Sequence, residues 1–208
     1  MKIYIIGGDG FCGFPTALKL SKEGHEIKIL DNLSRRKIDL ELGCSSLTKI
    51  YTIYERIEAW KEKTNKIIEF ELIDISKEYN RLCQLILNDK PEIIIHLGEQ
   101  RAAPYSMKNS QTSRYTVNNN LNATHNILQA MVHTDRNIHL IHLGTMGVYG
   151  YGAVPNVEIP EGYINVEIKN KNQEIKKLEI LHPSYPGSIY HMTKAQDALF
   201  FQFYSKNY

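Results

Sequence analysis

Met1-Lys2-Ile3-Tyr4-Ile5-Ile6-Gly7-Gly8-Asp9-Gly10-Phe11-Cys12-Gly13 opens the chain and decides its fold. Lys2–Ile6 is a continuous apolar run, the pattern of a strand buried on both faces. It leads directly into a turn in which Gly7, Gly10 and Gly13 stand three apart. That turn opens an amphipathic stretch, Cys12–Glu23. The first glycine permits a tight turn, the second lets a pyrophosphate approach backbone N–H groups, and the third lets a helix pack close to a strand. A glycine-rich turn alone also fits an ordinary connection, so its surroundings must decide.

Outward from this unit the same alternation repeats. Glu26–Leu30, Ile67–Leu72, Ile93–Leu97 and Ile138–Leu143 read as further buried strands. Lys77–Asp89 and Arg114–His133 carry helical spacing, with Leu121, Ile127, Leu128 and Met131 on a shared face. Strand and helix in repetition predict an α/β fold: a doubly wound parallel sheet of Rossmann type, with helices on both faces. Two segments interrupt the alternation. Cys44–Lys63, with Arg56 and Trp60, reads as a helical insertion near 44–63. Tyr163–Leu178 alternates around Lys169-Asn170-Lys171-Asn172 and predicts a β-hairpin near 163–178. Ser188–Tyr204 is helical. A doubly wound sheet ordinarily has a further strand, so residues 1–208 read as the front of something longer.

Composition narrows the class. The 208 residues carry 25 Lys+Arg against 23 Asp+Glu, a net charge of +2 that points to neither nucleic acid nor an anionic membrane as partner. No apolar run reaches the roughly 20 residues of a membrane span, and the first residues are too soon broken by glycine to be a signal peptide. Cys12, Cys44 and Cys83 are odd in number and scattered. They predict no disulfide framework and no metal site, and a reducing cytoplasm.

Asp31 ends the second strand, 18 positions beyond Gly13. A carboxylate there accepts both ribose hydroxyls of NAD and repels a 2′-phosphate; with Asn32 it also fits a strand-end cap. Arg35 and Arg36 follow, and arginines could instead greet a 2′-phosphate. The carboxylate comes first in the chain, which favours NAD. Asp74-Ile75 fits an adenine pocket or a helix N-cap before Ser76. Leu97-Gly98-Glu99 would line the phosphate path, because ligands gather at the carboxyl ends of parallel strands. With Gly8, Asp9, Phe11 and Cys12 of the first turn, these are the expected cofactor contacts.

Tyr190 and Lys194 lie four apart in Tyr190-His191-Met192-Thr193-Lys194, on one face of a helix. A phenol titrates near 10, and a neighbouring ammonium stabilises its phenolate enough to make it a base. Thr145, at the end of the fifth strand in Leu143-Gly144-Thr145-Met146-Gly147-Val148-Tyr149-Gly150, can hydrogen-bond the same substrate hydroxyl.

Together these residues resemble the extended short-chain dehydrogenase/reductase superfamily. Within it, Gly98-Glu99-Gln100-Arg101-Ala102-Ala103-Pro104-Tyr105-Ser106-Met107 is similar to the signature of the UDP-sulfoquinovose synthase family, as are Asp31–Arg36, Gly144–Gly147 and Tyr190-His191. The resemblance covers Met1 to about Phe200 and implies that residues 1–208 are the NAD-binding domain of a longer protein, without its C-terminal nucleotide-sugar domain; it also implies a reaction. UDP-glucose and sulfite, free or handed over by a partner protein, give UDP-sulfoquinovose through a 4-keto-5,6-alkene sugar, with NAD regenerated. It implies Tyr190 as base, Lys194 as its partner and nicotinamide-ribose contact, and Thr145 as orienting group. Ordinary sugar 4,6-dehydratases place an Asp-Glu pair where Met146 and Gly147 stand, so His191 becomes the candidate acid. Arg101 is expected on the diphosphate, the sulfite or the nicotinamide end of NAD. Asn119 is a candidate cofactor contact or a helix cap, and Gln100 and Met146 are expected in the sugar pocket. A homodimer through Arg114–His133 and Ser188–Tyr204 is implied as well. The rival readings are another nucleotide-sugar 4-epimerase or 4,6-dehydratase, and a non-catalytic NAD-binding fragment.

Overall fold

The computed structural model describes residues 1–150, 163–181 and 184–208. Five strands, β1 (Lys2–Ile6), β2 (Glu26–Asp31), β3 (Ile68–Leu72), β4 (Ile93–His96) and β5 (His139–His142), form a parallel sheet in the order β3-β2-β1-β4-β5. β1 is central: Ile5 pairs with Ile29 on one side and Ile95 on the other. Successive side chains of a strand point to opposite faces, and the core divides accordingly. Tyr4 and Ile6 pack with Leu30, Ile94 and the helices α4 (Tyr79–Asp89) and α6 (Ser110–His133) through Leu82, Ile86, Ala123 and Ile127. Ile3 and Ile5 pack on the other face with Ile27, Ile29 and the helices α1 (Gly13–Lys22) and α3 (Ile53–Thr64), through Ala17 and Ile53. The chain moves outward through β2 and β3, then returns across β1 to β4 and β5. The carboxyl end of β1 is therefore the topological switch point, where such sheets bind ligands.

The insertion differs from the single helical stretch expected from Cys44. A short helix, α2 (Ser34–Glu41), closes at Gly43, whose φ of +64° lets the Cys44 N–H reach the Asp39 carbonyl at 2.9 Å. This is the left-handed cap that ends a helix. The next helix begins only at Ile53, where Thr52 and Glu55 form a reciprocal capping box. Trp60 ties α3 to α1 by donating to Ser21 Oγ at 3.0 Å.

After β4 comes one helical turn, α5 (Ala103–Ser106), and after β5 a 3-10 turn at Met146–Tyr149. β6 (Tyr163–Lys169) and β7 (Ile175–Leu181) form the expected antiparallel hairpin, separate from the main sheet. The last helix is α7 (Ile189–Asn207). Among the described residues no helix is long and apolar enough to cross a membrane.

Candidate active site

Gly7 takes φ +79° as its N–H donates to the Leu30 carbonyl at 2.8 Å. A Cβ at Gly7 would lie 2.6 Å from the Leu97 carbonyl, and one at Gly13 only 2.4 Å from the Gly7 carbonyl oxygen. Backbone therefore packs on backbone, leaving a cradle that any side chain would fill. Cys12 supplies no side-chain cap to α1; the turn closes on itself instead, with the Phe14 N–H donating to the Gly10 carbonyl at 3.2 Å. The cavity above this turn is lined by Gly7, Gly10, Phe11, Cys12 and Gly13 at one end and by Tyr190 and Lys194 at the other.

Asp31 and Asn32 line the same cavity. The Asp31 carboxylate accepts from the Asp9 N–H at 2.9 Å and the Leu33 N–H at 2.7 Å. Burial pushes its pKa up, against those two backbone hydrogen bonds. Asp74 and Ile75 form another wall, with Asp74 also accepting from Ser76 and Lys77. Asp74 is a cavity wall but not the expected helix N-cap: α4 begins only at Tyr79 with Glu78 as its N-cap residue, and Asp74 instead closes a turn by accepting from the Ser76 N–H at 3.2 Å.

The two arginines after β2 have separate fates. Arg36 is turned away and donates to the buried Asp9 carboxylate at 2.7 Å, which Arg56 of α3 also engages. Asp9 and Arg36, expected as direct cofactor contacts, form this buried ion cluster outside the cavity lining. The reason is electrostatic: a carboxylate 3% exposed must be paired. Arg35 instead faces the cavity with Arg101. Burial and the nearby Arg101 charge hold its pKa below the usual range, and its buried Nε has no hydrogen-bond partner among the described residues. Two guanidiniums on one wall complement a diphosphate.

At the other end, Ser188 caps α7 and presents Tyr190 and Lys194 one turn apart, beside Asn119, Leu143 and Gly144. Thr145 accepts from the Gly147 N–H at 3.2 Å, and Met146 is 86% exposed; neither lines this cavity, nor does Gly8. Gln100, expected in the sugar pocket, is buried: its amide donates to Thr116 Oγ at 3.1 Å and to the Ala102 carbonyl at 3.0 Å. Its backbone N–H and carbonyl are held by Asn120, which also donates to Thr193. Asn120, not singled out in the asparagine run, thus ties the segment after β4 to α6 and α7, while Asn119 faces the cavity.

His191 is 5% exposed, with Nδ1 3.1 Å from Ser188 Oγ, and burial lowers its pKa. A Cβ at Gly147 would sit 2.3 Å from its Nε2. The imidazole therefore occupies the space beneath the loop that a side chain at 147 would need.

Lys194 enters a buried polar cluster that the sequence reading missed. Its ammonium pairs with Glu99, donates to the Leu143 carbonyl at 2.8 Å, and lies 3.0 Å from His142 Nε2. Glu99 Oε1 accepts from Thr124 at 3.0 Å and lies 3.5 Å from His96 Nε2. Asp197 Oδ2 is 3.3 Å from His142. Burial raises the Glu99 pKa, but His96 and the Lys194 charge outweigh it and hold the carboxyl well below the usual range. Burial and the Glu99 charge push Asp197 up to about 8, and burial drives His142 down to about 3. Ligand atoms of His96, Glu99 and His142 lie within 4.8 Å of one another; the Lys194 ammonium is the cation they face. The signal was present as histidines closing Ile93-Ile94-Ile95-His96 and His139-Leu140-Ile141-His142 and as Asp197 three after Lys194, but polar residues ending strands look the same when they are solvated.

Residues 3–208 match the NAD dependent epimerase/dehydratase family. The chain is 39% identical over 197 residues to the chloroplastic UDP-sulfoquinovose synthase of Spinacia oleracea, covering 95% of this chain and 39% of that protein. It is 38% identical over 208 residues to the UDP-sulfoquinovose synthase of Sulfolobus acidocaldarius, covering 100% of this chain and 51% of that one. The chain thus spans 39% and 51% of the length of these two relatives. The solved UDP-Glc/GlcNAc 4-epimerase of Campylobacter jejuni superposes with a TM-score of 0.68 at 22% identity, over 99% of this chain and 49% of that one. The UDP-glucose 4-epimerase of Brucella ovis in complex with NAD superposes with a TM-score of 0.66 at 20% identity, over 100% and 48%. At those identities the likeness is one of fold. The glycine cradle, the carboxylate ending β2 and the paired guanidiniums fit NAD, and with the match along almost its whole length the chain belongs to the NAD dependent epimerase/dehydratase family.

Proposed function

We propose that this chain is the cofactor-binding and catalytic part of an enzyme that converts UDP-glucose and sulfite to UDP-sulfoquinovose and water. The observation that carries this reading is the contact between Gly147 and His191. A dehydratase-type glutamate at 147 would need the volume that the imidazole fills. The acid for loss of the C6 hydroxyl is then His191, whose Nε2 fills the space beside Gly147.

Bound NAD would supply the acceptor, and later the donor, of a hydride at C4 of the sugar, so that the net reaction would involve no redox change. Tyr190 removes the proton of the 4-hydroxyl, with the charge of Lys194 one turn away stabilising the phenolate. Thr145 orients that hydroxyl. The 4-ketone acidifies the C5 proton, which is lost as the C6 hydroxyl leaves as water with a proton from His191; sulfite then forms its C–S bond at C6 of the 5,6-alkene, and C5 takes a proton back. Arg35 and Arg101 hold the cofactor diphosphate, and Asp31 holds its adenosine ribose. We place the enzyme in a reducing, cytoplasmic setting, supported by its three free cysteines. We further read it as a homodimer through α6 and α7, supported by Val132, Leu199 and Phe203, which are at least 36% exposed on those helices.

The test is mass spectrometry of nucleotides after incubating the purified protein with UDP-glucose and sulfite. UDP-sulfoquinovose formed only with sulfite supports the assignment. UDP-galactose would replace it with the 4-epimerase reading, and a UDP-4-keto-6-deoxyglucose product with the dehydratase reading.

A further inference from the structure

The cluster behind Lys194 is the strongest feature not used by the proposed reaction. Lys194 is 6% exposed by its side chain, Glu99 4% and Asp197 1%. An unpaired buried ammonium is strongly disfavoured against its neutral form, and a neutral Lys194 would have no charge to offer Tyr190. Something must therefore keep that charge in place. The groups facing it come from every element packed around it: His96 at the end of β4, Glu99 just after it, Thr124 on α6, His142 on β5, and Asp197 on α7 itself.

We propose that Glu99 is the positioning residue for Lys194, its buried carboxylate acting as the fixed counter-ion that holds the ammonium at the cavity wall beside Tyr190. The geometry separates Glu99 from the alternatives. Glu99 pairs directly with the ammonium, whereas the nearer Asp197 oxygen stands 4.0 Å away. Thr124 and His96 fix Glu99 from its other side. His142 offers Nε2 at 3.0 Å as a neutral acceptor, and the Leu143 carbonyl accepts a further hydrogen bond from the ammonium. The two carboxyls share one cation, so burial favours charge on only one of them. Glu99 carries it, and Asp197 retains a proton at neutral pH. Asp197 is thereby a reserve, one that ionises only when Glu99 is removed or the pH rises.

The catalytic consequence rests on the role given to Lys194 above; the pairing does not. The experiment compares Glu99→Gln, Asp197→Asn and the double variant in the purified protein. It follows 340 nm absorbance on adding UDP-glucose from pH 5 to 9, with NAD affinity measured separately. Glu99→Gln is expected to slow the signal at pH 7 by at least about tenfold with NAD affinity little changed. Its rate should climb with pH as Asp197 ionises, at a pH below 8 because the Glu99 charge no longer opposes it. The double variant should stay slow and flat with pH. Asp197→Asn should stay within about threefold of wild type at pH 7, because the group it replaces is already neutral there. A wild-type rate and pH profile in Glu99→Gln, or equal losses in both single variants, would overturn the proposal.

A thermal-unfolding cycle of Glu99→Gln, Lys194→Met and their combination reads the pairing without catalysis. The double variant, with neither charge, should recover stability lost by each single one. If Glu99→Gln alone does not fold and the combination does not restore folding, the pairing is wrong. No 340 nm signal in the wild type would remove the proposed function while leaving this cycle to decide the pair.

Discussion

Nε2 of His191 lies where a side chain at Gly147 would have to be, 2.3 Å from the position of a Cβ built on that glycine. Gly147→Ala should therefore force the imidazole or the loop aside. Overpacking of this kind costs about 1–3 kcal/mol, read by chemical denaturation. Removing the ring in Gly147→Ala/His191→Ala should relieve much of it; an unrelieved loss would locate the strain elsewhere. In the reaction, His191→Ala should still allow oxidation at C4, seen as absorbance at 340 nm, while no sulfonated sugar appears by mass spectrometry. Normal product would remove His191 from the mechanism.

Tyr190 and Lys194 share one face of α7 and line the same cavity. Tyr190→Phe keeps the ring and deletes the proton acceptor, so hydride transfer should fall by about 10²–10⁴-fold while NAD titrates with nearly wild-type affinity. A variant that turns over normally would show that another group is the base.

Arg35 and Arg36 are adjacent in sequence and opposite in role. Arg35→Ala removes a guanidinium from the cavity wall and should weaken NAD binding by about 1–3 kcal/mol, with little change in the unfolding midpoint. Arg36→Ala leaves Asp9 with Arg56 as its remaining arginine. It should cost stability, about 1–3 kcal/mol, and leave the preference for NAD over NADP unaltered. Calorimetric titration beside urea unfolding of both variants separates the two effects, and an exchange of phenotypes would refute the placement.

Asp197 gives a pH dependence of stability. Its folded pKa of about 8 lies above the unfolded carboxyl value, so its contribution is fully present at low pH and declines as pH rises from about 4 to about 8. The loss is bounded at about 1.4 kcal/mol per pH unit. His142, with a pKa lowered to about 3, contributes in the opposite sense, its stabilisation being lost as pH falls from about 6.5 to about 3. Measured at pH 5, 7 and 8.5, the stability of wild type relative to Asp197→Asn should therefore fall as pH rises. A difference constant with pH would show that Asp197 is ionised throughout.

The parallel strands were legible because they are isoleucine-rich runs too apolar to face water, and the glycine turn because its residues admit close backbone contact. Helix ends were less so. The gap between α2 and α3 depends on Gly43 and on the Thr52–Glu55 box, signals that a reading focused on apolar periodicity passes over. Gln100 was misplaced for a related reason. Its type and position fitted a sugar pocket, but its amide was needed inside to satisfy Thr116 and Ala102.

From the sequence alone came the doubly wound sheet, the dinucleotide turn, Asp31 and the Tyr190–Lys194 pair, since each depends on residues close together in the chain with a fixed local geometry. Tertiary structure decided the rest. Glu99, His142 and Asp197 are brought to Lys194 from the end of β4, from β5 and from α7, and Arg36 and Arg56 to Asp9 from α2 and α3. Those partnerships follow from burial: charged groups taken out of water together must find one another, and only the packed sheet and helices determine which of them meet.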